Sequence, residues 1–220
     1  MVNTAFGSNK AYTLLTLLFY TSSILIIKGD KVKTVTSNTR RDFIRLLGLG
    51  AVATASAAFA SGGKNRSATL TEEQKDTLFY IFQEEKVARD VYITLGTLYP
   101  EESTFAKIQL SEQEHILSAQ VLCERYGIDT SGVNLSLEEN FVGQFELPAI
   151  QELYNQCVAS GQESLLEALK VGRHIELTDI DDLEAAAEGM PSDVVNVYSN
   201  LKEGSLNHLA AFETAIAREE

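Results

Sequence analysis

An all-α protein is predicted by three features of the 220-residue chain: only three prolines, no tryptophan, and long Glu, Ala and Leu runs with few clusters of Val, Thr and aromatic residues. With 45% apolar and 22% charged residues, the chain is neither disordered nor collagenous and suffices for one ordinary domain plus an appendage.

The helices can be placed in order. Thr71 to Gln74 has the form of an N-cap with Gln three residues on, and the helical pattern that follows ends near Leu98, before Pro100. A second helix spans 102–126, opened by Ser103 or a nearby Glu and stopped by Gly127. A linker of about twenty residues, marked by Gly132, Asn134, Asn140 and Gly143, leads to a short helix from Pro148 to Ser160-Gly161. Glu163 to Glu188, closed by Gly189, and Pro191 to Arg218 complete the set. Four long helices with one extended crossover in the middle describe a ferritin-type bundle topology.

The chain before this domain differs in composition. Residues 1–60 hold seven Lys/Arg and two Asp/Glu, a net +5, whereas residues 61–220 hold eleven and twenty-nine, a net −18. So acidic a body repels phosphate backbones, which sets nucleic acid aside as a partner and favours cations. Ser37-Asn38-Thr39-Arg40-Arg41-Asp42-Phe43 runs into an uncharged stretch, Leu46 to Ala60, that ends in the small-x-small pattern Ala58-Phe59-Ala60. Residues 37–60 resemble a twin-arginine export signal, which implies translocation of a folded, cofactor-loaded domain by the twin-arginine translocase to an extracytoplasmic location. The expected division is therefore an upstream segment 1–36, a signal 37–60, a linker 61–69 and the domain 70–220. Within the first, Ala11 to Ile27 is an apolar run at the lower edge of membrane-spanning length; a start codon placed too early is the preferred explanation, a membrane helix the alternative.

Writing each long helix at alternating three- and four-residue spacing exposes its inward stripe. The first reads Leu78, Ile81, Glu85, Ala88, Tyr92, Leu95, Tyr99, and the second Phe105, Ile108, Glu112, His115, Ala119, Leu122, Tyr126. The third reads Leu165, Leu169, Gly172, Glu176, Asp179, Leu183, Ala186, and the fourth Val194, Val197, Leu201, Gly204, His208, Ala211, Ala215. Every stripe breaks near its middle with polar residues. At about 1.5 Å rise per residue the breaks lie within roughly a helical turn of one level, so Glu85, Glu112, His115, Glu176, Asp179 and His208 can converge. Four carboxylates in a dry core must be protonated, paired or metal-bound. Arg89 and Arg173 alone are insufficient counterions, whereas two divalent ions cancel four carboxylates and two neutral imidazoles add nitrogen ligands.

Glu85-x-x-Ala88-x-x-x-Tyr92 and Glu112-x-x-His115 resemble the metal-binding motifs of ferritin-like carboxylate proteins. More closely, residues 70–218 resemble a branch of that group, domain of unknown function 2202, through residues 84–92, Ser111-Glu112-Gln113-Glu114-His115 and Gly204-Ser205-Leu206-Asn207-His208-Leu209. The resemblance implies Glu85, Glu112, His115, Glu176 and His208 as ligands of two iron ions, with manganese as the other candidate metal. The fourth helix departs: Ser205 stands where the wider group has Glu, and Asp179 is the candidate replacement. Tyr92, by its position on the seam, is the candidate catalytic residue, through a hydrogen bond to a ligand carboxylate or electron transfer.

The implied activity is oxidation of ferrous ion or reduction of dioxygen or peroxide; the alternative is a non-enzymatic module of the same fold that binds metal or a partner protein. No Cys-x-x-Cys pair is present, so a rubredoxin-like electron module is missing and the reductant is external. A homodimer is a candidate assembly. Glu84 and Glu114 flank the seam and are expected in solvent, as is His174 unless it supports a ligand from outside. Cys123 and Cys157 are expected as buried hydrophobes or, after export, as a pair.

Overall fold

The computed structural model describes residues 23–28, 31–36 and 69–220. Strands β1 (Ser23–Lys28) and β2 (Lys31–Thr36) pair antiparallel, with Ser23 opposite Thr36 and Lys28 opposite Lys31. This ribbon, rich in Ile, Val and Thr, belongs to an N-terminal unit of its own. It corrects the all-α reading for that segment: the last residues of the apolar run Ala11 to Ile27 are strand. The rest of that run and the whole of the twin-arginine-like stretch 37–60 lie outside the described residues.

Residues 69–220 contain five helices and no strand: α1 (Glu72–Leu98), α2 (Ser103–Arg125), α3 (Pro148–Gly161), α4 (Leu165–Ala186) and α5 (Ser192–Glu219). No helix among the described residues is long and apolar enough to cross a membrane. The boundaries follow local chemistry. Thr71 and Gln74 make a reciprocal capping box at the start of α1. The Glu102 carboxylate caps α2, Pro148 occupies the first turn of α3, and the Ser164 hydroxyl caps α4. Gly127 and Gly189, after α2 and α4, have φ of 69° and 74°, the left-handed conformation that ends helices cheaply only with glycine.

The helices α1, α2, α5 and α4 each pack on two of the others in that cyclic order, and α3 lies against α1 and α4. Facing residues show that neighbours run antiparallel. Cys123 meets Leu78 while Phe105 meets Tyr92 across α1 and α2; Asp179 meets Ser205 while Gly172 meets Phe212 across α4 and α5.

Burial on α1 exceeds its predicted stripe. Every residue from Tyr80 to Tyr92 is buried, polar ones included, because α3 and the crossover 126–147 cover the helix's outer side. On α5 the buried line is Val194, Tyr198, Leu201, Ser205, His208, Phe212 and Ala215, whereas Val197, Gly204 and Ala211 are only partly buried. The stripe read from sequence is one residue off at those three positions, where Tyr198, Ser205 and Phe212 turn inward instead.

Candidate metal centre

The seven residues singled out from the stripes, Glu85, Tyr92, Glu112, His115, Glu176, Asp179 and His208, are all buried, between 0% and 8% exposed. Glu85 and Tyr92 come from α1, Glu112 and His115 from α2, Glu176 and Asp179 from α4, and His208 from α5. The spacing Glu112-x-x-His115 puts both side chains on one face of α2. His115 Nδ1 lies 3.1 Å from Glu112 Oε2 and 3.2 Å from Glu85 Oε2. His208 Nδ1 lies 2.7 Å from Glu112 Oε1 and 3.5 Å from Glu176 Oε2. Glu112 therefore stands between two imidazoles whose rings stack with centroids 5.3 Å apart.

Each imidazole thus shares Glu112 and has a second carboxylate of its own. Tyr92 donates its hydroxyl to Glu176 Oε1 at 2.5 Å, and Ser205 Oγ donates to Asp179 Oδ2 at 2.6 Å. Each bond engages one oxygen of its acid, leaving Glu176 Oε2 beside His208 and Asp179 Oδ1 buried without a hydrogen-bond partner. Below the acids, Tyr92, Phe105 and Phe212 form an aromatic layer, and Gly172 leaves room for the Phe212 ring, which an added Cβ would meet at 2.3 Å. Gly204 likewise makes room for His115: a Cβ there would lie 2.4 Å from Nε2.

The charge state departs from that of free side chains. Burial raises the Glu85 and Glu176 carboxyls to about 7 and about 8, the negative charge of Glu112 adding to both. Burial and then the charge of Glu85 raise Asp179. Glu112 goes the other way: burial opposes its ionisation, but contacts with both imidazoles hold it at about 2. Burial disfavours the imidazolium ions, yet their carboxylate neighbours lift His115 to about 11 and His208 to about 9. Without metal, protons hold the cluster together.

Protons do not satisfy every group. Glu85 Oε1, Glu112 Oε1, Asp179 Oδ1 and His208 Nδ1 are buried without a hydrogen-bond partner. Glu112 Oε1 and His208 Nδ1 are 2.7 Å apart but not aligned to bond each other. Buried polar atoms left without a partner in this way are the kind of ligand a cation would satisfy, by displacing the imidazolium protons. Glu112, His115 and His208 each offer an atom within 4.8 Å of the others, so these three can hold a metal ion.

Several expectations are corrected. Glu84, expected in solvent, is 4% exposed, because α1 is covered on all sides. Arg89 does not face the acids; its guanidinium binds Asp90, Gln113 and the Leu135 carbonyl, and Arg173 is exposed. Glu114 and His174 are exposed as expected, and Cys123 and Cys157 are buried free thiols. Asp182 was missed altogether; the regular acidic spacing 176, 179, 182 on α4 was the signal available.

Residues 69–220 thus form an all-helical domain with a buried carboxylate and imidazole cluster capable of holding metal. Residues 74–219 match the family described as uncharacterized protein domain DUF2202, and the chain belongs to that family. It is similar to uncharacterized protein MJ0754 of Methanocaldococcus jannaschii, 40% identical over 144 residues, 65% of this chain and 75% of that protein. The crystal structure of hypothetical protein MJ0754 from Methanococcus jannaschii superposes with a TM-score of 0.63 at 35% identity, covering 72% of this chain and 87% of that one.

Proposed function

We propose that the domain is a ferritin-like four-helix bundle with a dinuclear iron centre that oxidises ferrous ion with dioxygen or peroxide. The observation that carries this reading is the pair of equivalent half-sites about Glu112. Glu85, Glu112 Oε2 and His115 would hold one ion and Glu176, Glu112 Oε1 and His208 the other; Asp179 Oδ1, buried without a hydrogen-bond partner, is a further candidate donor. The antiparallel cyclic packing of α1, α2, α5 and α4, with α3 on the crossover, supports the bundle. Oxygen-rich ligation with two imidazoles suits iron or manganese better than copper(I) or zinc.

Bound ferrous ions would supply the electrons that reduce the oxidant. The protein's own part is to orient and to exclude water. Tyr92 fixes Glu176, Ser205 fixes Asp179, and the aromatic layer seals the side toward Phe212. The Tyr92 hydroxyl, whose proton burial and the charge of Glu176 make hard to remove, stays a hydrogen-bond donor to that carboxylate. Export by the twin-arginine translocase is part of the proposal, on the strength of Arg40-Arg41 and the Ala58-Phe59-Ala60 exit.

The test is anaerobic ferrous titration of the purified full chain, followed by exposure to air. Two ions per chain and iron oxidation faster than in buffer are expected, with both lost in Glu112→Ala and reduced in His208→Ala. Unchanged stoichiometry in both variants would overturn the ligand assignment. Metal binding without faster oxidation would favour the non-enzymatic module, for which Ser205, in place of the Glu of the wider group, is the supporting residue.

A further inference from the structure

Four seams between helices and two ends enclose the proposed centre, and they are not equally shut. The α1–α4 seam is covered by α3, which lies against both helices. At the α1–α2 seam Arg89 binds Gln113 on α2 and the Leu135 carbonyl of the crossover. The α4–α5 seam is crossed at the level of the acids by the bond from Ser205 to Asp179, and beyond it by Phe212 seated on Gly172. One end holds the layer of Tyr92, Phe105 and Phe212; the other holds Ile81, Leu122, Leu183 and Leu201, each at most 3% exposed.

The α2–α5 seam is built otherwise. Polar contacts tie it at its two ends, Arg125 and Tyr126 to Asp193 and Arg218 to Glu102. Midway, α5 presents Gly204, only partly buried, and the edge of the His115 ring faces it: a Cβ there would lie 2.4 Å from Nε2 and 2.7 Å from Cε1. The register set by these pairs puts Ser111 level with Asn207 and Ser118 level with Asn200. Two of these side chains turn back on their own helices, Ser118 donating to the Glu114 carbonyl at 2.8 Å and Asn207 to the Glu203 carbonyl at 2.9 Å. Exposure follows the same pattern. His115 and His208 are 8% and 7% exposed, against 5% for Asp179 and 1% for Glu85, Glu112 and Glu176.

We propose that the α2–α5 seam beside Gly204 is the port through which ferrous ion reaches and leaves the centre, with His115 and His208 as its inner wall. The port rests on the reading of the cluster as a metal centre. His115 turns Nδ1 to Glu85 and Glu112 and Nε2 to Gly204, so its ring stands between the acids and the seam. Glycine is what such a port needs, since any side chain at 204 would stand on the edge of that ring. Glu114 and Glu203, exposed and next in sequence to His115 and Gly204, put negative charge at the mouth, which draws cations and repels anions.

The test is the rate at which the full chain, loaded anaerobically with ferrous ion, releases it to an excess of a coloured chelator, measured beside the affinity and count at equilibrium. Asn207→Phe and Ser118→Phe add bulk at the lips of the seam and replace no proposed ligand. Leu206→Trp is the control: Leu206 is 48% exposed and, two residues from Gly204, lies on the opposite side of α5. Both lip variants are expected to bind two ions with wild-type affinity and to release them about 10-fold more slowly, because an obstacle on the path slows entry and exit alike. The control should release them as wild type does. Wild-type release rates in both lip variants, with two ions bound, overturn the port and leave the centre standing. Equal slowing in Leu206→Trp also overturns it, since bulk anywhere on α5 then acts through the bundle. Lip variants that melt as wild type but lose an ion or affinity overturn it too, because the lips then hold the ligands. A wild type that binds no ferrous ion overturns the centre, and the port with it.

Discussion

Two buried polar groups occupy the same helix, and they are built on opposite terms. Lys86, Arg89 and Asp90 are each 0% exposed, yet close on themselves. Asp90 Oδ2 accepts from Lys86 and from the Gly143 backbone, and Oδ1 accepts from Arg89. The remaining donors reach the carbonyls of Gln144 and Leu135 and the Gln113 side chain, and the Lys86 ammonium sits 4.3 Å over the Phe145 ring. Across the helix, Glu84 has only acids bearing on it, Glu85 meets His115, and the two leave three oxygens without a partner. The first group is finished by the polypeptide and ties the crossover to α1. The second is finished only by something added. Buried charge by itself marks neither structure nor function; the partner count separates them.

The sharpest way to break this comparison is to remove one acid from each group. Asp90→Ala strands two buried cations and the Gly143 amide, so a loss of about 3–5 kcal/mol is expected. At about 2–4 °C per kcal/mol for a chain of this size, that is a fall of roughly 10–15 °C in melting temperature, the same with and without metal. Glu85→Gln should leave the metal-free protein at least as stable as wild type, because a poorly solvated acid is replaced by a neutral amide. A calorimetric scan in which Glu85→Gln costs the metal-free protein as much as Asp90→Ala would refute the distinction.

A pH series sharpens the same contrast. Glu85 and Glu176, raised on folding to about 7 and about 8, stabilise the metal-free fold fully only below their unfolded value near 4.5 and lose that contribution as pH rises through 7 and 8. His115 and His208, raised to about 11 and about 9, contribute fully below about 6.5 and lose it as pH climbs toward those values. Glu112, held at about 2, contributes above 4.5 and loses its share only in acid. Between pH 5 and 8 the raised groups therefore all act in one direction. The metal-free protein should melt roughly 5–10 °C lower at pH 8 than at pH 5, taking a net change of about 2–3 kcal/mol. Metal must displace these protons, so the increment from added Mn²⁺ should grow over the same range. A metal-free melting temperature that rises from pH 5 to 8 would contradict the charge assignment.

The helices were readable because each announces itself locally: Thr71 with Gln74, Pro148, Gly127 and Gly189 act within a few residues of chain. The break in each apolar stripe was equally readable, since a Glu or His among Leu and Ile is visible without knowing what lies opposite. What could not be read was cover. Glu84, beside the seam, is buried with the α4 acids Asp182 and Asp179 close to it, on a helix that α3 and the crossover also cover. The roles of Lys86, Arg89 and Asp90 depend on backbone groups fifty residues away for the same reason. The one-residue error at three positions of α5 is different in kind. There, Gly204 beside Ser205 offered two small residues, and their packing against His115 and Asp179 decides which turns inward.

Ser205 supplies the smallest and most local contrast. Its hydroxyl, 1% exposed, lies 2.6 Å from Asp179 Oδ2 and 3.0 Å from the Leu201 carbonyl, and its single proton cannot serve both fully. If the bond to Asp179 orients that acid toward the metals, Ser205→Ala removes a positioning contact and no ligand. A loss of about 1 kcal/mol, roughly 2–4 °C in melting temperature, is expected for the metal-free protein. Metal affinity should fall by about 10- to 100-fold at unchanged stoichiometry, the usual consequence of freeing a ligand from its outer hydrogen bond. Ser205→Thr, which keeps the hydroxyl, should restore affinity more than stability, because its extra methyl must find room in a buried position. If Ser205→Ala lowers the stoichiometry instead, the hydroxyl is itself part of the coordination. If it changes neither affinity nor count, Asp179 is held by its helix alone, and Ser205 belongs with the finished, structural half of the core.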